Sequence, residues 1–151
     1  MQIREDDLSG PEITALLQEH LDDMHAITPP ESVHAMDITA LRGPGVTFWT
    51  AWEGGKLLGC GALKTLDGGT GEIKSMRTAL PHRGRGVARR LLSHIIEAAR
   101  SRGYSELYLE TGTMAEFAPA RALYEQFGFR CCEPFGDYVA DPNSVFMKLT
   151  L

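Results

Sequence analysis

The sequence has few cysteines, and their arrangement excludes two kinds of structural site. Cys60, Cys131 and Cys132 are an odd number, and they lack the spacing of a zinc site or of a disulfide framework. We therefore expect free thiols, a reducing compartment such as the cytoplasm, and no bound metal.

Long apolar runs and an excess of positive charge are also absent. No window approaches the ~18 apolar residues of a membrane-spanning helix, and the first residues do not resemble a signal peptide. The net charge is -5, from 15 Lys and Arg against 20 Asp and Glu. Binding to a nucleic-acid backbone draws its affinity from basic side chains. We expect neither a membrane nor a nucleic acid as a partner.

The rest of the composition is that of a globular protein. The chain has 151 residues, 43% of them hydrophobic and 23% charged. A chain of this length buries enough surface for one core without disulfides or metal. No repeat or linker is visible, so we predict a single domain over residues 1–151.

Hydrophobic spacing and turn residues predict an α/β chain in which helices cover a mixed sheet. The predicted strands cover residues 1–5, 46–53, 56–66, 70–78, 104–111, 129–135 and 145–151. The first predicted helix runs from a capping box at Ser9 and Glu12 to about residue 25, and a short second helix lies within residues 31–43, either over that whole range or over residues 37–41 alone. The others run from Arg83 to Gly103 and around residues 120–127.

A glycine-rich segment joins a predicted strand to the long helix. The first turn of a helix leaves four N–H groups without partners, and these groups favour an anion. Two phosphate-binding motifs do not fit this segment. The dinucleotide motif requires a small residue where Arg89 stands, and the Gly-Lys-Ser/Thr of the P-loop is absent.

Two motifs resemble those of the GCN5-related N-acetyltransferase (GNAT) family. Residues 83–88, Arg-Gly-Arg-Gly-Val-Ala, match the family's Arg/Gln-x-x-Gly-x-Gly/Ala loop. Residues 120–129 are similar to its Ala-x-x-Leu-Tyr-x-x-x-Gly-Phe segment, and the order of elements agrees along the whole chain. The resemblance implies a GNAT-like fold, with a twisted, mostly antiparallel sheet of six to seven strands flanked by about four helices.

The resemblance also implies a function and a cosubstrate. We expect an N-acetyltransferase that moves an acetyl group from acetyl-CoA to a primary amine, with a homodimer as the plausible assembly. The backbone of residues 83–88 would hold the pyrophosphate, and the strand at 70–78 would pair with the pantetheine arm. The residues expected to bind acetyl-CoA are Met76, Thr78, Arg83, Gly84, Arg85, Gly86, Val87, Ala88 and Arg89.

The strand before the loop has an irregular apolar pattern. Ile73 and Met76 are three residues apart, so strict alternation would put them on opposite faces. One extra residue, a β-bulge, would restore the pattern. Relatives carry such a bulge, and the resemblance implies that the N–H near Met76 faces the thioester oxygen.

Three side chains are candidates for proton transfer. An amine must lose a proton before it attacks, and Glu72 is the first candidate for the base, with Glu110 as its competitor. Glu72 has the alternative of an exposed strand-end residue paired with Lys74. Tyr124 occupies the position of the family's general acid, and its alternative is a packing residue on the apolar face of its helix.

The acceptor is left open by the sequence. Candidate contacts are His25, Glu110, Asp137 and Tyr138. An acidic rim would attract a cationic amine, whereas Lys74 and Arg77 could hold the carboxylate of an amino-acid-like acceptor. Acetylation of a protein lysine or N-terminus, and acyl-CoA binding without turnover, are the alternatives. The chain departs from the family at Phe117, where many relatives carry an Asn.

Overall fold

A computed structural model describes all 151 residues and contains seven strands and four α-helices. The strands are β1 (Gln2–Glu5), β2 (Val46–Glu53), β3 (Lys56–Leu66), β4 (Thr70–Thr78), β5 (Glu106–Gly112), β6 (Arg130–Cys131) and β7 (Ser144–Thr150). The helices are α1 (Pro11–Ile27), α2 (Ile38–Leu41), α3 (Val87–Ser101) and α4 (Ala118–Gln126). The expected GNAT-like architecture is confirmed.

The strands form one sheet in the order β1-β2-β3-β4-β5-β7-β6. Every neighbouring pair is antiparallel except β4 and β5, which are parallel. The parallel ladder begins at Thr70 with Glu106 and ends at Glu72 with Tyr108. Past that point β4 and β5 pair no further, so residues 73–78 of β4 have a strand neighbour only in β3. This separation opens a cleft in the middle of the sheet.

Helices pack on both faces of the sheet. Leu91, Leu92 and Ile95 of α3 are fully buried in the larger core cluster, at the helical spacing expected from the sequence. On the other face, Ile13 and Leu16 of α1 belong to a second cluster. The chain contains no helix whose length and apolar character would let it cross a membrane.

The bulge expected in β4 is present. The register between β3 and β4 shifts between Cys60 and Ala62, which pair with Arg77 and Lys74 respectively. Ser75 has a φ of 56°, which is rare for a residue other than glycine. The Cys60 thiol donates a hydrogen bond to the Ser75 carbonyl at 3.3 Å. The distorted backbone is therefore held in place from the neighbouring strand.

The predicted capping box at the start of α1 is wrong. Gly10 is the N-cap of this helix and caps it with no side chain. The Ser9 hydroxyl instead donates to the Asp7 carboxylate at 2.6 Å, and the same carboxylate accepts from the Ser9 N–H. The local turn made by Asp7 thus takes the hydroxyl that the helix start would have used.

Two element boundaries also differ from the prediction. The long helix α3 begins at Val87 rather than at Arg83, because Gly84 and Gly86 have φ values of 78° and 79°, which are incompatible with a right-handed helix. The strand predicted over residues 129–135 is only Arg130–Cys131. The chain leaves the sheet after residue 132, just before Pro134.

Candidate active site

The separation of β4 and β5 creates a cleft of about 610 Å³. Residues of α1, β4, the loop before α3, β5 and α4 line it. One part, the glycine-loop end, contains Arg83, Gly84 and Gly86. The other, the carboxylate end, contains Glu72 and Glu110. The two ends therefore offer different chemistry.

The glycine-loop end presents free backbone donors. The N–H groups of residues 84–89 donate to no acceptor in the chain. Gly86 is the N-cap of α3, and no heavy atom lies within 4 Å of where a Cβ on Gly84 or Gly86 would stand. Unpaired N–H groups at a helix start bind phosphate oxygens well. The loop therefore fits a diphosphate group such as that of CoA.

Basic side chains surround this loop, but they do not all face the cleft. Arg83 and Arg89 line it, together with Val87 and Ala88. Arg85 does not line the cleft; it pairs with Glu53 at 2.6 Å. The side chain of Arg85 is therefore directed to Glu53, and only its unpaired backbone N–H is free for an anion.

The free edge of β4 runs from the bulge towards the glycine loop. Met76 and Thr78 both line the cleft. The Met76 sulfur packs beneath β3, since a Cβ on Gly61 would approach it to 2.6 Å. The edge of β4 that faces away from β3 has no strand partner here, so an extended molecule with amide groups could add to it as a strand would. The pantetheine arm has such amides.

Glu72 is buried at the carboxylate end, with 3% of its surface exposed. Its carboxylate accepts a hydrogen bond from the Tyr138 hydroxyl at 2.6 Å and pairs with the Lys74 ammonium at 3.1 Å. The alternative of an exposed strand-end residue is thus wrong about exposure and right about the partner, Lys74.

Glu110 lies on the neighbouring strand and lines the same cleft. It forms no ion pair, in contrast to Glu72. Burial raises the pKa of the Glu110 carboxyl to about 7, and the nearby charge of Glu72 acts in the same direction. A group with this pKa exchanges protons readily at neutral pH.

Tyr124 brings a hydroxyl-bearing ring from α4 to the cleft wall. The ring belongs to the larger core cluster and packs edge-on against Phe129, with centroids 5.8 Å apart. Burial raises the pKa of Tyr124 to about 12, and the charge of Glu110 adds to this. Tyr124 is thus both a packing residue and a cleft residue that stays protonated at neutral pH.

The other predicted acceptor contacts are either outside the cleft or held by other residues. His25 and Asp137 are exposed and do not line the cleft. Tyr138 stands behind Glu72, which it orients. Arg77 is committed to α1, where it pairs with Glu19 at 2.9 Å and Asp23 at 2.5 Å.

Sequence reasoning missed a connection between two segments that line the cleft. The Ser32 hydroxyl donates to the Asp141 carboxylate at 2.6 Å, and the Asn143 amide donates to the Ser32 hydroxyl at 3.3 Å. These bonds tie the segment after α1 to the loop before β7, across more than 100 residues of sequence. No local pattern could have indicated them. Phe117, the departure from the family motif, lines the cleft and packs against Gly112.

A model of the acetyltransferase (GNAT) family matches residues 13–129. The uncharacterised N-acetyltransferase YsnE of Bacillus subtilis is 60% identical over 151 residues, with 100% of both chains covered. The uncharacterised N-acetyltransferase YedL of Escherichia coli is 51% identical, over 99% of this chain and 94% of that one. An IAA acetyltransferase of Azospirillum brasilense is 40% identical, over 89% of this chain and 86% of its own.

Solved structures agree with these relatives. A structure described as an acyl-CoA N-acyltransferase from Klebsiella pneumoniae has a TM-score of 0.80 and 29% identity, covering 99% of this chain and 97% of its own. A GNAT acetyltransferase from Elizabethkingia anophelis, solved with acetyl-CoA bound, has a TM-score of 0.70 and 18% identity, with 99% and 97% covered. The latter shows a shared fold in a protein that binds acetyl-CoA.

Proposed function

Because the chain belongs to the GNAT family and is an acetyltransferase, we propose that it moves an acetyl group from acetyl-CoA to the primary amine of a small molecule, by direct attack in a ternary complex. The observation that carries the proposal is one cleft that holds a free-amide loop, a carboxyl with a pKa near 7 at Glu110, and the hydroxyl of Tyr124.

The chain's own residues support a defined orientation for acetyl-CoA. The amides of residues 84–89 would hold the diphosphate, and Arg83 and Arg89 would add positive charge beside it. The free edge of β4 would bind the pantetheine amides as far as the bulge. Acetyl-CoA, when bound, supplies the thioester carbonyl that the amine attacks.

Glu110 is the better candidate for the base. An alkyl ammonium has a pKa near 10.4, so it must lose a proton before attack. If Glu72 took that proton, the buried Lys74 ammonium would lose its carboxylate partner. Glu110 forms no ion pair, and its raised pKa matches the task.

Tyr124 would act at the departing sulfur. A C–N bond forms and the C–S bond breaks, with CoA as the leaving thiolate. The nitrogen of the ammonium loses two protons: the first passes to solvent through Glu110 before attack. The second leaves the nitrogen after the C–N bond has formed, and the thiolate takes up one proton to become the thiol. A phenol with a pKa of about 12 holds its proton more tightly than a thiol with a pKa near 8.5. The hydroxyl of Tyr124 therefore works mainly as a hydrogen-bond donor to the sulfur, and the N–H near Met76 as a donor to the carbonyl oxygen.

A connection between two segments beside the cleft favours a small acceptor over a protein. The bonds among Ser32, Asp141 and Asn143 join two segments beside the cleft, where a peptide would need an open groove. The name of the Azospirillum relative adds IAA to the candidate acceptors. The three unpaired cysteines are consistent with the cytoplasm as the site of action, and a homodimer stays a prediction.

The proposal is tested by measuring CoA release with acetyl-CoA and a panel of amines, peptides and IAA. Calorimetry with acetyl-CoA gives binding separately from turnover. Binding together with acetylation of small amines supports the proposal, and preferential turnover of peptides contradicts it. Binding without turnover on any acceptor would instead identify an acyl-CoA-responsive interaction protein.

A further inference from the structure

Two cationic side chains lie at the carboxylate end of the cleft, and the first, Lys74, has no donor to spare. Its ammonium has three N–H groups. They reach the His34 carbonyl at 3.4 Å, the Glu72 carboxylate at 3.1 Å and the Tyr138 hydroxyl at 2.9 Å. Its side chain is only 10% exposed. A bound acceptor could not pair with Lys74 without displacing one of these partners.

The second cation, Arg77, is paired with two carboxylates. Its guanidinium meets the carboxylates of Glu19 and Asp23, and its side chain is 7% exposed. The Nε group is buried without a hydrogen-bond partner. A substrate carboxylate approaching Arg77 would come close to two like charges, which costs binding free energy.

The balance of charge at this end is therefore negative. Three ion-paired carboxylates, those of Glu19, Asp23 and Glu72, stand against the two cations. Glu110, whose pKa is about 7, adds part of a further negative charge at neutral pH. Asp23 and Glu110 line the cleft, and the Asp23 side chain is 44% exposed. Charge of one sign in a cleft with low-dielectric walls raises the local concentration of the opposite charge.

We propose that the acceptor is a cationic amine without a carboxylate near its reacting nitrogen, such as an aliphatic diamine. This inference rests on the proposed function and deepens it, since the sequence leaves cationic and amino-acid-like acceptors equally open. Tyr138, Glu19 and Asp23 set the preference, because they occupy the two cations that would otherwise bind a carboxylate.

Matched acceptor pairs test this preference. Cadaverine and lysine differ only in the α-carboxylate, as do agmatine and arginine. All four compounds carry a primary amine. In each pair we expect kcat/KM for the decarboxylated member to be higher by about tenfold or more. Equal values, or higher values for the amino acids, would overturn the inference.

Two variants identify the origin of the preference. Asp23→Asn lowers the negative charge beside Arg77, and Tyr138→Phe releases one Lys74 donor. Each should reduce the cadaverine-to-lysine ratio by about threefold or more, while Tyr104→Phe, which removes a hydroxyl that lies outside the cleft and bonds Thr65, leaves the ratio unchanged. A general folding defect lowers both kcat/KM values together and does not move the ratio. An unchanged ratio in both test variants contradicts the assignment.

The failure of this inference differs from the failure of the proposed function. If no amine is acetylated although acetyl-CoA binds, the proposed function fails. Calorimetry of cadaverine and lysine with the CoA complex then decides the charge preference without turnover. Tighter binding of cadaverine supports the inference, and equal or weaker binding overturns it.

Discussion

The Tyr138 hydroxyl donates a hydrogen bond of 2.6 Å to the Glu72 carboxylate, although 66 residues separate the two in sequence. The bond fastens the loop before β7 to the middle of the sheet. Together with Lys74 it satisfies a buried carboxylate, which would otherwise be costly. The two neighbouring acids therefore differ in their surroundings, because Glu72 is held by Lys74 and Tyr138 whereas Glu110 forms no ion pair.

Glu110→Gln should lower kcat/KM by about 10²-fold or more and remove an inflection near pH 7. The carboxylate is the active form, so wild-type activity should rise as the pH increases through about 7. The variant should retain only the rise due to the amine, near pH 10. A pH profile of kcat/KM from pH 5.5 to 9.5 makes the comparison.

Glu72→Gln is the matched control for that profile. It removes the ion pair with Lys74 but should keep the inflection near pH 7. Loss of the inflection in Glu72→Gln alone would make Glu72 the base.

Glu110→Gln should also have a higher free energy of unfolding than the wild type above pH 7. A carboxyl whose pKa is raised in the fold lowers that free energy as the pH rises from the ordinary pKa of the group through 7.

Tyr124→Phe should reduce kcat by about 10²-fold and leave the Kd for acetyl-CoA nearly unchanged. The ring packs in the core and the change removes only its hydroxyl, so the fold should persist. Tyr104→Phe removes a hydroxyl that bonds Thr65 outside the cleft, and it should leave kcat unaltered. Single-turnover kinetics with both variants would show whether the chemical step is the one affected.

Gly86→Ala should weaken acetyl-CoA binding by about tenfold, while Gly103→Ala should not. Both glycines have left-handed φ values, 79° and 77°, and neither would place a Cβ within 4 Å of another atom. The strain of about 1–2 kcal/mol is therefore the same in both variants. Of the two, only Gly86 lies within the free-amide loop of residues 84–89, where a Cβ would stand beside the bound diphosphate. Equal loss of acetyl-CoA affinity by calorimetry would mean that strain, and not the anion site, is responsible.

His20→Gln should make the protein less sensitive to acid. Burial lowers the pKa of His20 to about 4, and the charge of Arg77 adds to this effect. The unfolded chain therefore binds more protons than the folded one between pH 6.5 and 4. The free energy of unfolding therefore falls by about 2–3 kcal/mol on account of His20 as the pH falls through that range. Urea unfolding at pH 7 and pH 4.5 should show a smaller loss in the variant.

The elements whose signals are local could be predicted from the sequence. Leu91 and Ile95 marked the buried face of α3, and the spacing of Ile73 and Met76 indicated the bulge at Ser75. Boundaries failed where a side chain had a competing partner or where glycines took left-handed conformations. Ser9 bonds Asp7 instead of capping α1, and Gly86 delays the start of α3.

The site was predictable only in part, for the same reason. The glycine loop and Tyr124 lie in contiguous motifs, and both line the cleft. The partners of Glu72 and Arg77 come from distant segments, the loop before β7 and helix α1, and no periodicity reveals such pairs. Burial of Glu72, and hence its difference from Glu110, depends on the packing of the whole fold.

The β4–β5 ladder ends early, at Glu72 and Tyr108, and this affects how readily the protein aggregates. An unpaired strand edge is a template for association with other chains, and residues 73–78 of β4 form such an edge inside the sheet. A cosubstrate that takes the place of the missing strand would cover the edge and add binding free energy to the folded state. Preparations kept with CoA should therefore melt at higher temperature and aggregate more slowly than the ligand-free protein.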